Sequence, residues 1–323
     1  MKGIKRFALA VAACLALPAG GAAAKDLRLG IITPPSHQWA KSAEAFAKDV
    51  ADQSGGRLKV MVFPSGQLGN EAQMLQQMQS GALDLAFLAA GEIANRRQDF
   101  AALFAPYLVK TPAEASRLLR GPTATKMLDE LRSVGLVGLG YGMAGLRQVV
   151  MRNKVAGVGD LSGRKVRTMP VEPERDFWRK VGAAPTPIPL PALYDAFANG
   201  QVDGMQIDFE GTWNTRYLDN AGTVIESNHM MLPMVAVASA RSWQTLPAAD
   251  QALLRTLAVR HLDAMVQSYD SIDRDYLDKI KAAGANVVKA DRAFFGPAVD
   301  AWYAEWRTKA PSLPALEKEA AGL

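Results

Sequence analysis

Leu58-Lys59-Val60-Met61-Val62-Phe63 is followed by Pro64-Ser65-Gly66-Gln67-Leu68-Gly69, a polar-apolar segment from Asn70 to Gly81, and Leu83-Asp84-Leu85-Ala86-Phe87-Leu88. The first run is short and rich in β-formers, so it reads as a strand, and the Pro-Ser-Gly cluster after it reads as a tight loop. Asn70 is placed to cap a helix carrying Met74, Leu75 and Met78 on one face, and Gly81 is placed to stop it. The final run, Leu83 to Leu88, is almost continuously apolar, which suits a strand of a parallel sheet covered on both faces. Strand, helix and strand in this order make a βαβ unit, and the chain is expected to be an α/β protein.

The rhythm extends in both directions. Upstream, Leu27 to Ile32 reads as a strand, and Trp39, Ala43, Phe46, Ala47 and Val50 share one helical face before Gly55-Gly56. Downstream, helices are expected over 112–119 and 123–134 and a strand over 136–141; the composition changes at Gly142 to Gly145. A second alternation then starts at Arg147: a strand between the turn at Gly163 and Pro170, helix 172–181, strand 186–188, helix 191–199 and strand 202–207. Met231 to Ser239, again apolar, can return the chain to the first unit. From Pro247 to Ala283 a helical pattern runs without a stop, long enough to brace two lobes. The expected architecture is two lobes with a ligand cleft between them: residues 25–145 with about 233–270, and residues 146–232 with about 271–323.

With 323 residues, 49% hydrophobic and 21% charged, the chain can bury a large core. Residues 1–24 read as a secretory leader: Lys2, Lys5 and Arg6, then an apolar run from Phe7 to Leu17, then Ala22-Ala23-Ala24. Its removal takes three positive charges from the formal +5, leaving about +2 (5 − 3), so the basic balance implies no nucleic-acid partner. The single cysteine, Cys14, lies inside the leader; lipidation there is an alternative to cleavage after Ala24, and no mature disulfide is expected. The expected location is the periplasm.

Catalytic patterns are weak. His37, His229 and His261 have no zinc-like spacing, and the glycines from Gly138 to Gly142 suggest a phosphate loop only superficially. Neither a metal nor a cofactor is expected. Leu161-Ser162-Gly163-Arg164-Lys165-Val166-Arg167-Thr168-Met169-Pro170 is more informative, because a short strand there places Arg167 near a strand end, where α/β proteins collect ligands. A guanidinium so placed offers a two-pronged donor for a carboxylate, or pairs with a neighbouring acid of the protein.

Pro64-Ser65-Gly66-Gln67-Leu68-Gly69-Asn70-Glu71, Gly81-Ala82-Leu83-Asp84 and Pro106-Tyr107-Leu108, in that order, resemble the first lobe of DctP-type solute-binding proteins of tripartite ATP-independent periplasmic (TRAP) transporters. The resemblance continues in Leu161 to Arg167, Ala192-Leu193-Tyr194, Gly200-Gln201-Val202-Asp203-Gly204 and His229. It implies a two-lobed periplasmic binding protein fold, a non-enzymatic receptor for a small organic acid, and delivery to the membrane subunits of a TRAP permease. It also implies that Arg167 makes a bidentate salt bridge to the ligand carboxylate and that Arg147 stands near the acid, unless Arg147 is held in a salt bridge within its lobe.

The sequence departs from the family where relatives carry Gln-Glu-Asn, since Met205-Gln206-Ile207-Asp208 stands there. Asp208 either reads a hydroxyl or ammonium of the ligand or caps the segment starting at Phe209. Trp213 is expected to wall the cleft, with the core as the alternative. Glu71 and His37 are placed at the cleft edge, where helix-terminus roles compete with ligand contact. An ABC-type receptor, or a secreted α/β enzyme using Asp208 or Glu71 as base, are the competing functions.

Overall fold

The computed structural model describes residues 24–323. The leader expected over residues 1–24, apart from Ala24, lies outside the described residues, and Cys14 with it. The chain runs β1 (Lys25–Ile31), α1 (Gln38–Gln53), β2 (Leu58–Phe63), α2 (Glu71–Ser80), β3 (Leu85–Ala89), α3 (Ala90–Ala94), α4 (Pro112–Leu119), α5 (Pro122–Asp129) and β4 (Leu136–Leu146). It continues with β5 (Gln148–Met151), β6 (Lys165–Thr168), α6 (Glu172–Val181), β7 (Ala184–Pro187), α7 (Leu193–Ala198), β8 (Gly204–Ile207), α8 (Phe209–Asn214) and β9 (Thr223–Glu226). The last elements are β10 (Met231–Ser239), α9 (Ala240–Gln244), α10 (Ala248–Ala282), β11 (Val287–Lys289), α11 (Ala298–Lys309) and α12 (Leu313–Ala320).

Two sheets carry the two lobes. The first has the order β2-β1-β3-β10-β4 and the second β11-β9-β5-β8-β6-β7. In the first, β1 pairs in parallel with β2 and β3, as a βαβ unit requires. Strand β10 enters antiparallel between β3 and β4, returning the chain from the second sheet to the first. All nine residues of β10 and all five of β3 are buried, as expected of apolar strands covered on both faces. The α2 signals act as read: Asn70 accepts from the Gln73 amide at 3.0 Å, Gln73 accepts from the Asn70 amide at 2.8 Å, and Gly81 closes the helix at φ +84°.

Two expectations are corrected. The composition change at Gly142 to Gly145 does not end the strand expected over 136–141; these residues lie inside β4, which runs on to Leu146 beside β10. Glycine suits the backbone at Gly145, which has φ +64°, and at Gly142 it leaves room for the side-chain ends of Met234 and Met265, which lie 2.6 and 2.7 Å from where a Cβ would stand. The helix expected over 123–134 ends at Asp129 and tightens into a 3-10 turn, Glu130–Val134, before Gly135 at φ +79°.

Helix α10 spans 35 residues, about 50 Å. Leu254, Leu257, Leu262 and Met265 pack in the core under the first sheet, while Tyr276, Leu277 and Ile280 join the core around Phe197, Met205 and Tyr217 under the second. One helix therefore braces both lobes. Helix α11 adds a second tie: Trp306 Nε1 donates to Asp176 of α6 at 2.8 Å, and the Tyr303 hydroxyl donates to the Pro106 carbonyl at 3.1 Å. Among the described residues no helix is long and apolar enough to cross a membrane.

Candidate functional site

Besides α9 and α10, which lead from β10 to β11, two short segments cross between the sheets: Leu146 to Gln148, joining β4 to β5, and the stretch from Glu226 to Met231, joining β9 to β10. They are bonded to each other, with the Arg147 amide donating to the Met230 carbonyl at 2.7 Å and the His229 amide donating to the Arg147 carbonyl at 3.2 Å. Beside them lies a cavity of about 510 Å³, within the size range of small-molecule sites. Its walls come from both lobes: Ile32, Ala89, Ala144 and Leu232 from the first, and Arg167, Met169, Ile207 and Tyr217 from the second.

Arg167 sits on β6 between β8 and β7 and is 2% exposed. Its Nε donates to the Ile188 carbonyl at 2.7 Å, which fixes the plane of the guanidinium. Among the described residues neither terminal nitrogen has a hydrogen-bond or ion-pair partner, although the residue lines the cavity. Burial, and then the nearby Arg147 charge, push its pKa down to about 10; Glu174, Tyr217 and Glu71 act in the opposite sense. The group is still a cation at neutral pH, held without a full counter-charge.

Arg147 is differently placed. Its Nη1 lies 3.3 Å from Asp208 Oδ2 and its Nη2 donates to the Gln206 carbonyl at 3.0 Å, with both side chains buried. Asp208 is the N-cap of α8, accepting from the Gly211 amide at 2.6 Å through Oδ1. Both Asp208 oxygens are thus engaged within the protein, and the capping reading describes its geometry although the residue also lines the cavity. Removing either partner of this buried pair would cost about 3–5 kcal/mol.

Glu71 opens α2 and its Oε1 accepts from the Ala89 amide at 2.6 Å. Burial raises its pKa to about 7, against the Ala89 hydrogen bond and the attraction of Arg167. His37 caps α1, its Nδ1 accepting from the Trp39 amide at 3.1 Å, while its Nε2 lies 3.4 Å from Glu210 Oε2. Glu210, on α8, also accepts from the Gln38 amide at 2.8 Å and from the Tyr269 hydroxyl at 2.9 Å. A carboxylate next to the second sheet thereby grips the N-terminus of a helix next to the first, across the cleft. Burial raises the Glu210 pKa.

His37, Asp208 and Glu210 offer ligand atoms within 4.8 Å of one another. Their oxygens already take amides, a hydroxyl and a guanidinium, so the cluster reads as a hydrogen-bonded knot and not as a cation cage. Trp213 requires a correction. It packs at the margin of the second core and does not line the cavity, whereas Gly211 and Asn214 of the same helix do. Gln206, from the divergent segment, also turns away. Its Oε1 accepts from Trp178 Nε1 at 2.8 Å and lies 2.9 Å from His229 Nε2, and burial lowers the His229 pKa to about 3.

Tyr217 and Thr33 were not visible as site residues in the sequence. Tyr217 is buried, lines the cavity and has its pKa pushed up to about 12 by burial. Thr33 Oγ1 is buried at the cavity without a partner. A lone Tyr after Arg216 and a Thr at a strand end carry no local signal; both are recognisable only once the two sheets face each other.

A family model described as bacterial extracellular solute-binding protein, family 7 (DctP) matches residues 29–309. The protein y4mM of Sinorhizobium fredii is 31% identical over 248 residues, which is 72% of this chain and 46% of y4mM; the chain spans about half the length of that relative. The fold is similar to that of the sugar acid binding protein DctPAm of Advenella mimigardefordensis in complex with galactonate, with TM-score 0.89, 23% identity and coverage of 93% and 98% of the two chains. It is also similar to a TRAP periplasmic solute-binding protein of Bradyrhizobium sp. BTAi1 in complex with galacturonate, with TM-score 0.85, 28% identity and coverage of 93% and 100%.

Proposed function

The chain belongs to the bacterial extracellular solute-binding protein family 7, and on that premise we propose that it is a periplasmic receptor that captures a small organic acid between its lobes and hands it to the membrane subunits of a TRAP permease. The observation that carries this reading is Arg167. Its guanidinium is anchored through Nε, leaves both terminal nitrogens unpaired toward a cavity of small-molecule size, and is short of counter-charge. A ligand carboxylate supplies the missing charge in the two-pronged geometry that guanidinium favours. The acids named for the solved structures above, galactonate and galacturonate, are carboxylates too.

Capture and closure are one event in this reading. The carboxylate docks on the second lobe, the crossings at Leu146 to Gln148 and at Asn228 to Met231 bend, and Glu210 engages the Gln38 amide at the start of α1. The competing enzyme reading loses its candidate base Asp208, whose oxygens are held by Gly211 and Arg147. Thermal melting of the mature protein against a carboxylate panel tests the proposal: an acid at 100 times its Kd should stabilise by about 2.7 kcal/mol. The hit should be recovered chemically unchanged, and its neutral amide should fail to stabilise. An amide that binds as well as the acid would overturn the assignment to Arg167.

A further inference from the structure

We infer that the acid taken by this cleft has a mainly hydrocarbon body, aromatic or branched, with at most one or two polar atoms beyond its carboxylate. The inference rests on the receptor reading above and narrows its ligand class. Around Arg167 the buried part of the cavity is built from Ile32, Ala89, Ala144, Met169, Ile207 and Leu232, each less than 9% exposed. Tyr217, itself buried, adds an aromatic face. The polar side chains that also line the cavity are largely engaged elsewhere. Asp208 holds Gly211 and Arg147, Glu71 holds the Ala89 amide, His37 holds the Trp39 amide, and Asn214 donates to the Tyr276 hydroxyl at 3.2 Å. Asn70 is closed in the capping box of α2. Thr33 Oγ1 is the buried hydroxyl at the cavity left without a partner, which is room for one ligand hydroxyl or carbonyl. Of the other hydroxyl-bearing side chains on the lining, Ser65 and Tyr194 are exposed, Thr215 is half-buried and Tyr217 is buried, its hydroxyl being the second polar group a ligand could meet.

A polyhydroxylated acid needs a partner for each hydroxyl it strips of water. Two hydroxyls left unpaired in this cavity correspond to about 30-fold or more in affinity. A hydrocarbon body of the same size gains instead from the apolar area it covers. This places the site apart from the sugar acids named for the two solved structures.

Isothermal titration of the mature protein with 3-phenylpropanoate, 4-methyl-2-oxopentanoate, galactonate and galacturonate tests the inference. The first two should bind at least about 30-fold tighter than the sugar acids, with a negative heat-capacity change from apolar burial. Leu190→Asn, on the cavity lining, should narrow that gap by weakening the apolar-bodied acids. Sugar acids that bind as tightly as, or tighter than, the apolar-bodied acids overturn the inference and leave the receptor reading standing. Failure of every carboxylate to bind would remove both.

Discussion

Replacing Arg167 by Met should move binding and stability in opposite directions. With the lobes closed the guanidinium is 2% exposed, and its pKa has fallen from an ordinary 12.5 to about 10, first through burial and then through Arg147. That fall corresponds to about 3 kcal/mol against the charged form. Met removes this cost and keeps an apolar stem of similar length, while losing the Nε bond to the Ile188 carbonyl, worth about 1 kcal/mol. The ligand-free variant should therefore be more stable by about 2 kcal/mol, a rise of a few °C in melting temperature. Ligand binding should weaken by about 2–5 kcal/mol, on the order of 30- to 4000-fold, because the acid would be buried without its partner. Calorimetric melting of protein stripped of ligand, followed by titration with an identified acid, reads both quantities. A variant that melts below the wild type and still binds the acid with full affinity would refute the reasoning.

Glu71 carries a pKa of about 7 at the cavity and is coupled to Arg167. Its carboxyl is ionised above that pH and then repels an incoming carboxylate, so affinity should fall several-fold between pH 6 and pH 8, and Glu71→Gln should flatten the profile in titrations. Asp273 on α10 accepts from the Leu146 amide at 3.2 Å, leaves Oδ1 buried without a partner, and has its pKa raised to about 8 by burial, with Asp208, Glu210 and Asp270 adding to the rise. The folded state holds this proton where the unfolded state has lost it. The contribution of Asp273 is thus fully present below about pH 4 and is lost as pH rises through about 8. Asp273→Asn should make denaturant midpoints less pH-dependent across that window and raise stability at pH 8. Glu210→Gln keeps the shape of the cleft-spanning contact but weakens its hold on the Gln38 amide and His37; ligand release should speed up by about 5- to 30-fold, seen by stopped-flow, with little change in the association rate.

Much of the fold was written in local pattern. The β2–α2–β3 unit, its Asn70 cap and Gly81 stop, and the α10 brace depend on periodicity and end signals within a few turns of chain, and the structure has each of them. The end of β4 was misread because glycines usually punctuate, whereas here they admit Met234 and Met265 from elements about 90 and 120 residues away. Trp213 was misplaced for a related reason: on a helix as short as α8, one residue of rotation decides between cleft and core, and neighbours distant in sequence set that rotation.

The candidate site divides along the same line. An α/β alternation, two lobes and a guanidinium near a strand end are all statements about residues close in sequence, and the sequence by itself determined them. Which charges remain unpaired is a statement about residues far apart. Arg147 and Asp208 stand 61 positions apart and pair with each other on the cavity lining, while Arg167 keeps its terminal nitrogens unpaired among the described residues. Burial sets the remaining chemistry, from the raised Glu71 pKa to the apolar walls around Arg167, because the cost of desolvating a group depends on what the folded chain places beside it. Only the tertiary structure could decide that.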